Sequence, residues 1–114
     1  MESDNIKNYK FFGNTLSTLT IKKLNKDIPS YRGKWGYFFE YELKNLGDMK
    51  NISSKKIQTL TYFGINPKLI KDTILRFSLS GFDRIVPIGQ ALDLDFIWDG
   101  YDINKTLTRI IDVK

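Results

Sequence analysis

The stretch from Gly81 to Asp102, GFDRIVPIGQALDLDFIWDGYD, constrains the fold of this chain more than any other segment. It begins with a glycine, continues into a short apolar strand and is then broken by Pro87-Ile88-Gly89. Because proline fixes the backbone and glycine allows it to turn sharply, this pattern predicts a defined path. An aromatic pair follows, surrounded by carboxylates: Trp98 and Tyr101, with Asp93, Asp95, Asp99 and Asp102. We therefore expect the preceding residues to form a scaffold for this stretch.

A length of 114 residues predicts a single domain spanning residues 1–114. The first 14 residues alternate between charged and aromatic side chains without a clear period, so we expect them to be loosely ordered. No apolar run approaches the roughly 18 residues that a membrane span needs, and the polar N-terminus is not typical of a signal or transit peptide. We therefore expect a cytoplasmic protein without a membrane span.

The absence of both cysteine and histidine excludes several kinds of chemistry. The chain has no thiolate nucleophile, no imidazole base and no zinc site built from the usual ligands. The net charge is +5, but the 18 basic and 13 acidic residues are interspersed, which favours a solvated surface over a nucleic-acid site. The acidic run after Gly89 does not match a calcium loop, because Ile97 and Trp98 stand where oxygen ligands and glycine are needed. We therefore expect no bound metal, and the charge pattern does not favour nucleic acid.

Strands and helices alternate along the predicted fold. Strand patterns occupy residues 15–24, 36–43, 57–63 and 84–88, with 96–98 as a further candidate. The clearest helix begins with Asn66 as N-cap and Pro67 at the first helical position, and Gly81 suits its C-terminal cap. A stripe of Ile70, Ile74 and Phe77 should face the core. A weaker helix is predicted within residues 45–56, and Asp102 is a candidate N-cap for a short final helix.

This order of elements predicts an α/β fold, a parallel sheet with crossover helices. A strand followed by a helix and a second strand usually forms a right-handed crossover between parallel strands. We expect the strands near residues 37–43, 57–63 and 84–88 to lie parallel in one sheet, with the helix packed across it.

Four segments resemble the long-chain acyl-CoA reductases of the bacterial bioluminescence fatty acid reductase type. These segments are GYFFEYEL, QTLTYFG, GFDRIVPIG and WDGYD followed by LTRII, in that order and together spanning roughly residues 35–111. The resemblance implies the C-terminal part of an aldehyde dehydrogenase-like catalytic domain. It also implies reduction of a fatty acyl-CoA to a fatty aldehyde with NADPH, through a cysteine thioester.

Two features of that family are missing from this sequence. The chain has no cysteine nucleophile, and it contains neither of the glycine-rich patterns that commonly bind nucleotide phosphates. Members of the family are several times longer, and the matched segments resemble their C-terminal end. The resemblance therefore implies a portion of an enzyme that is inactive alone and binds no NADPH by itself.

The resemblance also indicates candidate site residues. Trp35 and Gly36 correspond to a turn near the cofactor, where an aromatic ring suits a nicotinamide, although Gly33 stands where the family has a ribose-binding glutamate. The structural alternative is a turn tryptophan packed on the core. Arg84, with Gly89 after the strand, is a candidate for binding the phosphate of CoA. Its alternative role is an ion pair with Asp83, Asp99 or Asp102 that fixes the following loop.

Two hypotheses about function follow from the sequence. The first is a C-terminal fragment of an acyl-CoA reductase, whose exposed rings would promote self-association in the absence of the rest of the enzyme. The second is a free-standing basic α/β module that binds a partner protein or nucleic acid.

Overall fold

A computed structural model describes residues 3–31 and 36–114. Within these residues, three sheets contain seven strands: β1 (Ile6–Phe12), β2 (Leu16–Ile21), β3 (Tyr37–Glu40), β4 (Thr59–Tyr62), β5 (Arg84–Pro87), β6 (Ile97–Trp98) and β7 (Tyr101–Asp102). The α-helices are α1 (Pro67–Arg76) and α2 (Ile103–Leu107), and 3-10 turns cover Ser3–Asn5, Ile28–Ser30 and Leu46–Asn51.

The predicted parallel sheet with crossover helices is wrong. The strands form separate sheets of three, two and two strands: β1-β2-β3, β4-β5 and β6-β7. β3 pairs in parallel with β2 instead of joining β4 and β5. One reason lies between β3 and β4, where Gly47 and Ser53-Ser54 disfavour a crossover helix and a 3-10 turn capped by Asn45 forms instead.

The N-terminal segment forms a strand, where the sequence predicted a loosely ordered segment. β1 pairs antiparallel with β2 after a tight turn at Gly13–Thr15, in one register from Phe12↔Leu16 to Asn8↔Thr20 and with a register shift before Ile6↔Ile21. Tyr9 and Phe11 are two residues apart in β1, so they lie on the same face of the sheet. Their rings are in edge-to-face contact, with the ring centroids 5.4 Å apart.

One crossover unit of the prediction is present. β4 and β5 pair in parallel, from Thr59↔Arg84 to Tyr62↔Pro87, and α1 connects them. The Asn66 side chain caps α1 by accepting a hydrogen bond from the Lys68 N–H at 2.9 Å, and Pro67 is the first helical residue. The inward stripe holds for Ile70, which is buried, and for Ile74, which is half-buried; Phe77 is 45% exposed.

Helix α1 ends at Arg76, several residues before the predicted cap at Gly81. Ser78 has a φ of 48°, and the Leu79 N–H reaches back to the Ile74 carbonyl at 3.0 Å. These are the features of a Schellman C-terminal cap, with serine in the left-handed position. Gly81 serves a different purpose, because it lies buried against the loop that contains Ser54.

The main hydrophobic core is small and lies between α1, the Leu46–Asn51 turn and the β4-β5 sheet. Its buried members are Met49, Ile70 and Phe82, with half-buried apolar side chains around them. In the β1-β2-β3 sheet, Ile21 is the buried apolar side chain.

The molecule is long and open for its size. Its extents are 66 × 33 × 28 Å and its radius of gyration is 17.7 Å, against about 13 Å for a compact domain of this length. In the described residues, no helix has both the length and the apolar composition needed to cross a bilayer.

Candidate functional site

The WDGYD motif forms a β-hairpin. β6 and β7 are antiparallel, and Trp98 pairs directly with Tyr101 across them. Asp99 and Gly100 form the two-residue turn with φ values of 50° and 81°, as in a type I′ turn. An Asp-Gly pair between aromatic residues is a strong hairpin signal, so this element could have been predicted from the sequence; the prediction included only its first strand.

Arg84 holds the loop that leads into this hairpin. Its Nη1 donates to the Ala91 carbonyl, and its Nη2 donates to the carbonyls of Gln90 and Asp93. The guanidinium also lies over the Trp98 ring, with its central carbon 4.4 Å from the ring centroid. The planar guanidinium suits this arrangement, because one side chain donates hydrogen bonds to three carbonyls and also packs against an aromatic ring.

The ion-pair interpretation of Arg84 is wrong for the residues that the structure describes. The ion pair found in residues 3–31 and 36–114 joins Lys105 and Asp102 at 3.7 Å, and Asp102 also caps α2 by accepting from the Lys105 N–H. Asp99 instead accepts a hydrogen bond of 2.7 Å from the Gln58 side chain. Gln58 was missed because nothing local in its sequence marks it, and its partner is 41 residues away.

A groove of about 690 Å³ opens between this hairpin and the β4-β5 unit. Its lining combines two aromatic rings with charged and amide side chains: Lys55, Gln58, Ser80, Gly81, Asp83, Trp98, Asp99, Tyr101 and Ile103. The Tyr101 side chain is 68% exposed. Such a surface offers stacking and hydrogen bonding to a ligand, which are features of recognition sites.

Of the predicted site residues that the structure describes, Gly36, Arg84 and Gly89, none lines this groove. Trp35 lies outside the described residues. Gly36 lies at the start of β3, where its carbonyl accepts from the Ser17 N–H at 2.7 Å. Arg84 belongs to the β4-β5 sheet, and Gly89 lies in the exposed turn after it. The structure therefore brings Arg84 together with Trp98 and places Gly36 directly before β3, which belongs to a different sheet.

Comparison with known proteins gives no relative for this chain. No family model, no curated protein and no solved structure matches it.

Replacing Arg84 with alanine is expected to loosen the loop before the hairpin. The variant loses charge-assisted hydrogen bonds and a cation–π contact at a half-buried position, so we expect a loss of about 2 kcal/mol in unfolding free energy. Chemical denaturation measures this loss. Trp98 fluorescence in a Trp35→Phe background should shift at the same time, because Arg84 covers the Trp98 ring.

The matched control is Arg76→Ala. Arg76 is exposed at the end of α1, and its guanidinium carbon lies 5.6 Å from the centroid of the Phe77 ring. It therefore makes a cation–π contact, as Arg84 does, but within the described residues it lacks the hydrogen bonds to loop carbonyls. Its replacement should cost less than about 0.5 kcal/mol. Equal losses for the two variants would contradict the anchoring role of Arg84.

Proposed function

We propose that this chain is the C-terminal part of a cytoplasmic, NADPH-dependent acyl-CoA reductase and is inactive alone. In this proposal it supplies a surface that completes the catalytic domain, while the cysteine and the nucleotide-binding elements belong to the complementary part. The acyl-CoA and NADPH contacts would form only in the completed domain.

The observation that carries the proposal is the unusually large exposed surface. The accessible area is 9672 Å², against about 6,500 Å² expected for a compact monomer of 13.3 kDa. Large apolar side chains form part of this exposed surface; Phe63, Leu92, Leu94 and Ile110 are each at least 86% exposed. Soluble monomers rarely expose apolar surface on this scale, and a complementary polypeptide would cover it.

The positions of the matched segments also support the proposal. Three of the four lie in one unit: QTLTYFG contains β4, GFDRIVPIG contains β5, and WDGYD is the hairpin, which Gln58 contacts at Asp99 and Arg84 contacts at the Trp98 ring. The fourth segment contains β3 of the separate three-stranded sheet. The resemblance therefore falls mainly on the β4-β5 unit and the hairpin attached to it.

The geometry changes the role proposed for Arg84. Because both of its Nη atoms donate to loop carbonyls, Arg84 is better suited to positioning the loop than to binding the CoA phosphate directly. Gly89, in the adjoining exposed turn, leaves backbone accessible for an approaching ligand. Gly36 would contact the cofactor only if the complementary part reaches the start of β3.

The alternative is a free-standing basic module that binds a partner protein or nucleic acid. The observation in its favour is the aromatic face of the three-stranded sheet, where Tyr9, Phe11 and Tyr37 are between 48% and 64% exposed. Exposed rings on a basic protein are able to stack on unpaired bases. Binding of a single-stranded oligonucleotide that weakens steeply with added salt would favour this alternative.

The test is reconstitution of activity from two polypeptides. The chain alone should form no fatty aldehyde from acyl-CoA and NADPH, since it has no thiolate to carry the acyl group. A long-chain acyl-CoA reductase truncated before the matched segments should also be inactive, and co-expression of the two should restore aldehyde formation.

The control is the same pair carrying Gly81→Leu, which disrupts the β4-β5 unit and should abolish reconstitution. If the unmodified pair forms no complex and no aldehyde while each part is folded, the proposal is overturned. Aldehyde formation by this chain alone would also contradict it.

A further inference from the structure

Two exposed apolar segments near the C-terminus carry complementary features. The apolar loop is residues 92–97, in which Leu92, Leu94, Phe96 and Ile97 are between 62% and 88% exposed. The tail is residues 108–114, in which Ile110, Ile111 and Val113 are between 86% and 96% exposed. Residues 92–96 and 109–114 belong to neither a helix nor a strand.

The sequence of the apolar loop is that of a half-buried strand without a partner. Leu92, Leu94 and Phe96 alternate with Asp93 and Asp95, a period of two. The tail contains Thr, Val and two Ile residues, all of which favour extended structure. Each segment thus has the composition of a sheet element and lacks the pairing that such an element normally has.

Charge distinguishes the two segments. The apolar loop carries Asp93 and Asp95, whereas the tail carries Arg109 and Lys114 with one opposing residue, Asp112. None of these five charges takes part in an ion pair with residues 3–31 or 36–114. An acidic apolar segment and a basic apolar segment attract each other, and two copies of either one repel.

From these observations we infer that the tail of one copy docks on the apolar loop of a second copy, and that the exchange is reciprocal. A twofold arrangement uses both contacts and leaves no tail or loop unpaired. The occupant is a second copy of this chain, because the chain itself carries both complementary surfaces.

The area agrees with two contacts rather than one. Burial of the seven apolar side chains, at roughly 100 Å² each when fully exposed, removes about 570 Å² of apolar surface for each contact. Since about 60% of an interface is apolar, two contacts correspond to about 1,900 Å² in total. This is within the roughly 1,200–2,000 Å² of a stable interface, and a single contact is below it.

This inference does not require the proposed catalytic role, but both would cover Leu92, Leu94 and Ile110, so the second copy and the complementary polypeptide would compete for these side chains. It concerns the stoichiometry of the chain alone, whereas the proposed function is tested by aldehyde formation with a second polypeptide. Either one can fail while the other holds.

Sedimentation equilibrium of the full chain should show a dimer. Ile111→Asp in the tail and Leu94→Asp in the apolar loop should each raise the dissociation constant by roughly 100-fold or more, because each places a charge in an apolar contact. The matched control is Phe63→Asp, since Phe63 is 87% exposed and belongs to neither segment; it should change the constant by less than about 3-fold. A wild-type chain that stays monomeric up to about 1 mM overturns the inference, as does a dimer insensitive to both variants.

Charge reversal tests the pairing itself. One variant carries Arg109→Asp and Lys114→Asp, and the other carries Asp93→Lys and Asp95→Lys. Each alone should dimerise more weakly than wild type, and an equal mixture should form a heterodimer, because each tail then faces a loop of opposite charge. Weakening without recovery in the mixture overturns the inference.

A disulfide trap separates exchange between copies from folding of the tail onto its own loop. The natural chain has no cysteine, so Leu94→Cys and Ile111→Cys introduce the sole thiols of their variants. Mild oxidation of a mixture of the two single variants should give a disulfide-linked heterodimer. If the variant with both substitutions closes a disulfide within one monomer and the mixture gives none, the tail covers its own loop and the inference is overturned.

Discussion

Gly81→Ala is expected to destabilise the fold by about 3–5 kcal/mol or to prevent folding. Gly81 has a φ of 86°, which is unfavourable for any residue with a Cβ. A Cβ at this position would also lie 1.8 Å from the Ser54 carbonyl oxygen, and this atom is backbone and unable to move aside. The backbone strain and the clash both act where the chain leaves α1 and enters β5. The expected loss in unfolding free energy is therefore larger than the cost of a left-handed alanine alone.

Gly64→Ala is the matched control for this prediction. Gly64 has a similar φ of 68°, and a Cβ there would meet nothing within 4 Å. Its replacement should therefore cost only the backbone term, about 1–2 kcal/mol. Urea denaturation of the two variants measures the difference; equal losses would show that the close approach to Ser54 does not constrain the fold.

Ile70→Ala is the second substitution with a large expected effect. Ile70 is 3% exposed and is central to the core formed with Met49 and Phe82. Removal of its side chain leaves a cavity in a core with few other buried members, so we expect a loss of about 2–5 kcal/mol. Thermal unfolding followed by circular dichroism measures the loss, and Ile70→Val, with an expected loss of about 0.5–1.5 kcal/mol, provides a graded result if the alanine variant does not fold.

Leu75→Ala in the same helix is the control for Ile70. Leu75 is 65% exposed, and the substitution removes an aliphatic side chain of the same size. It should change the unfolding free energy by less than about 1 kcal/mol. A loss at Leu75 as large as that at Ile70 would mean that α1 buries a different face.

Local signals in the sequence were sufficient for the start of α1 and for the parallel pairing of β4 and β5, but not for the end of α1 at Arg76. Asn66 and Pro67 define the start of α1 because an N-cap and a first-turn proline act within a few residues. The parallel pairing of β4 and β5 was also correctly predicted, since a strand-helix-strand connection has few alternative geometries. The hairpin at Asp99-Gly100 also has a local signal, the Asp-Gly turn, although the prediction included only the first of its two strands.

The partner of each strand beyond that unit was not determined by local pattern. β3 has the alternation of a half-buried strand whichever strand it joins, and the structure pairs it with β2 rather than β4. Helical spacing alone also does not determine which side chains are buried. Phe77 follows the spacing of Ile70 and Ile74, but α1 ends before Phe77, which is 45% exposed. These outcomes depend on where chain segments meet, which spacing along the sequence does not specify.

The candidate site shows the same division. By itself, the sequence determined that Arg84, Trp98 and the Asp-Gly turn lie in one continuous stretch, that the chain has no thiolate or imidazole, and that α1 begins at Pro67. Only the tertiary structure decided that Arg84 donates to loop carbonyls and covers Trp98, that Gln58 reaches Asp99, and that Gly81 meets Ser54. The physical reason is that caps, turns and absent residue types act over a few residues, whereas these contacts join segments up to 41 residues apart.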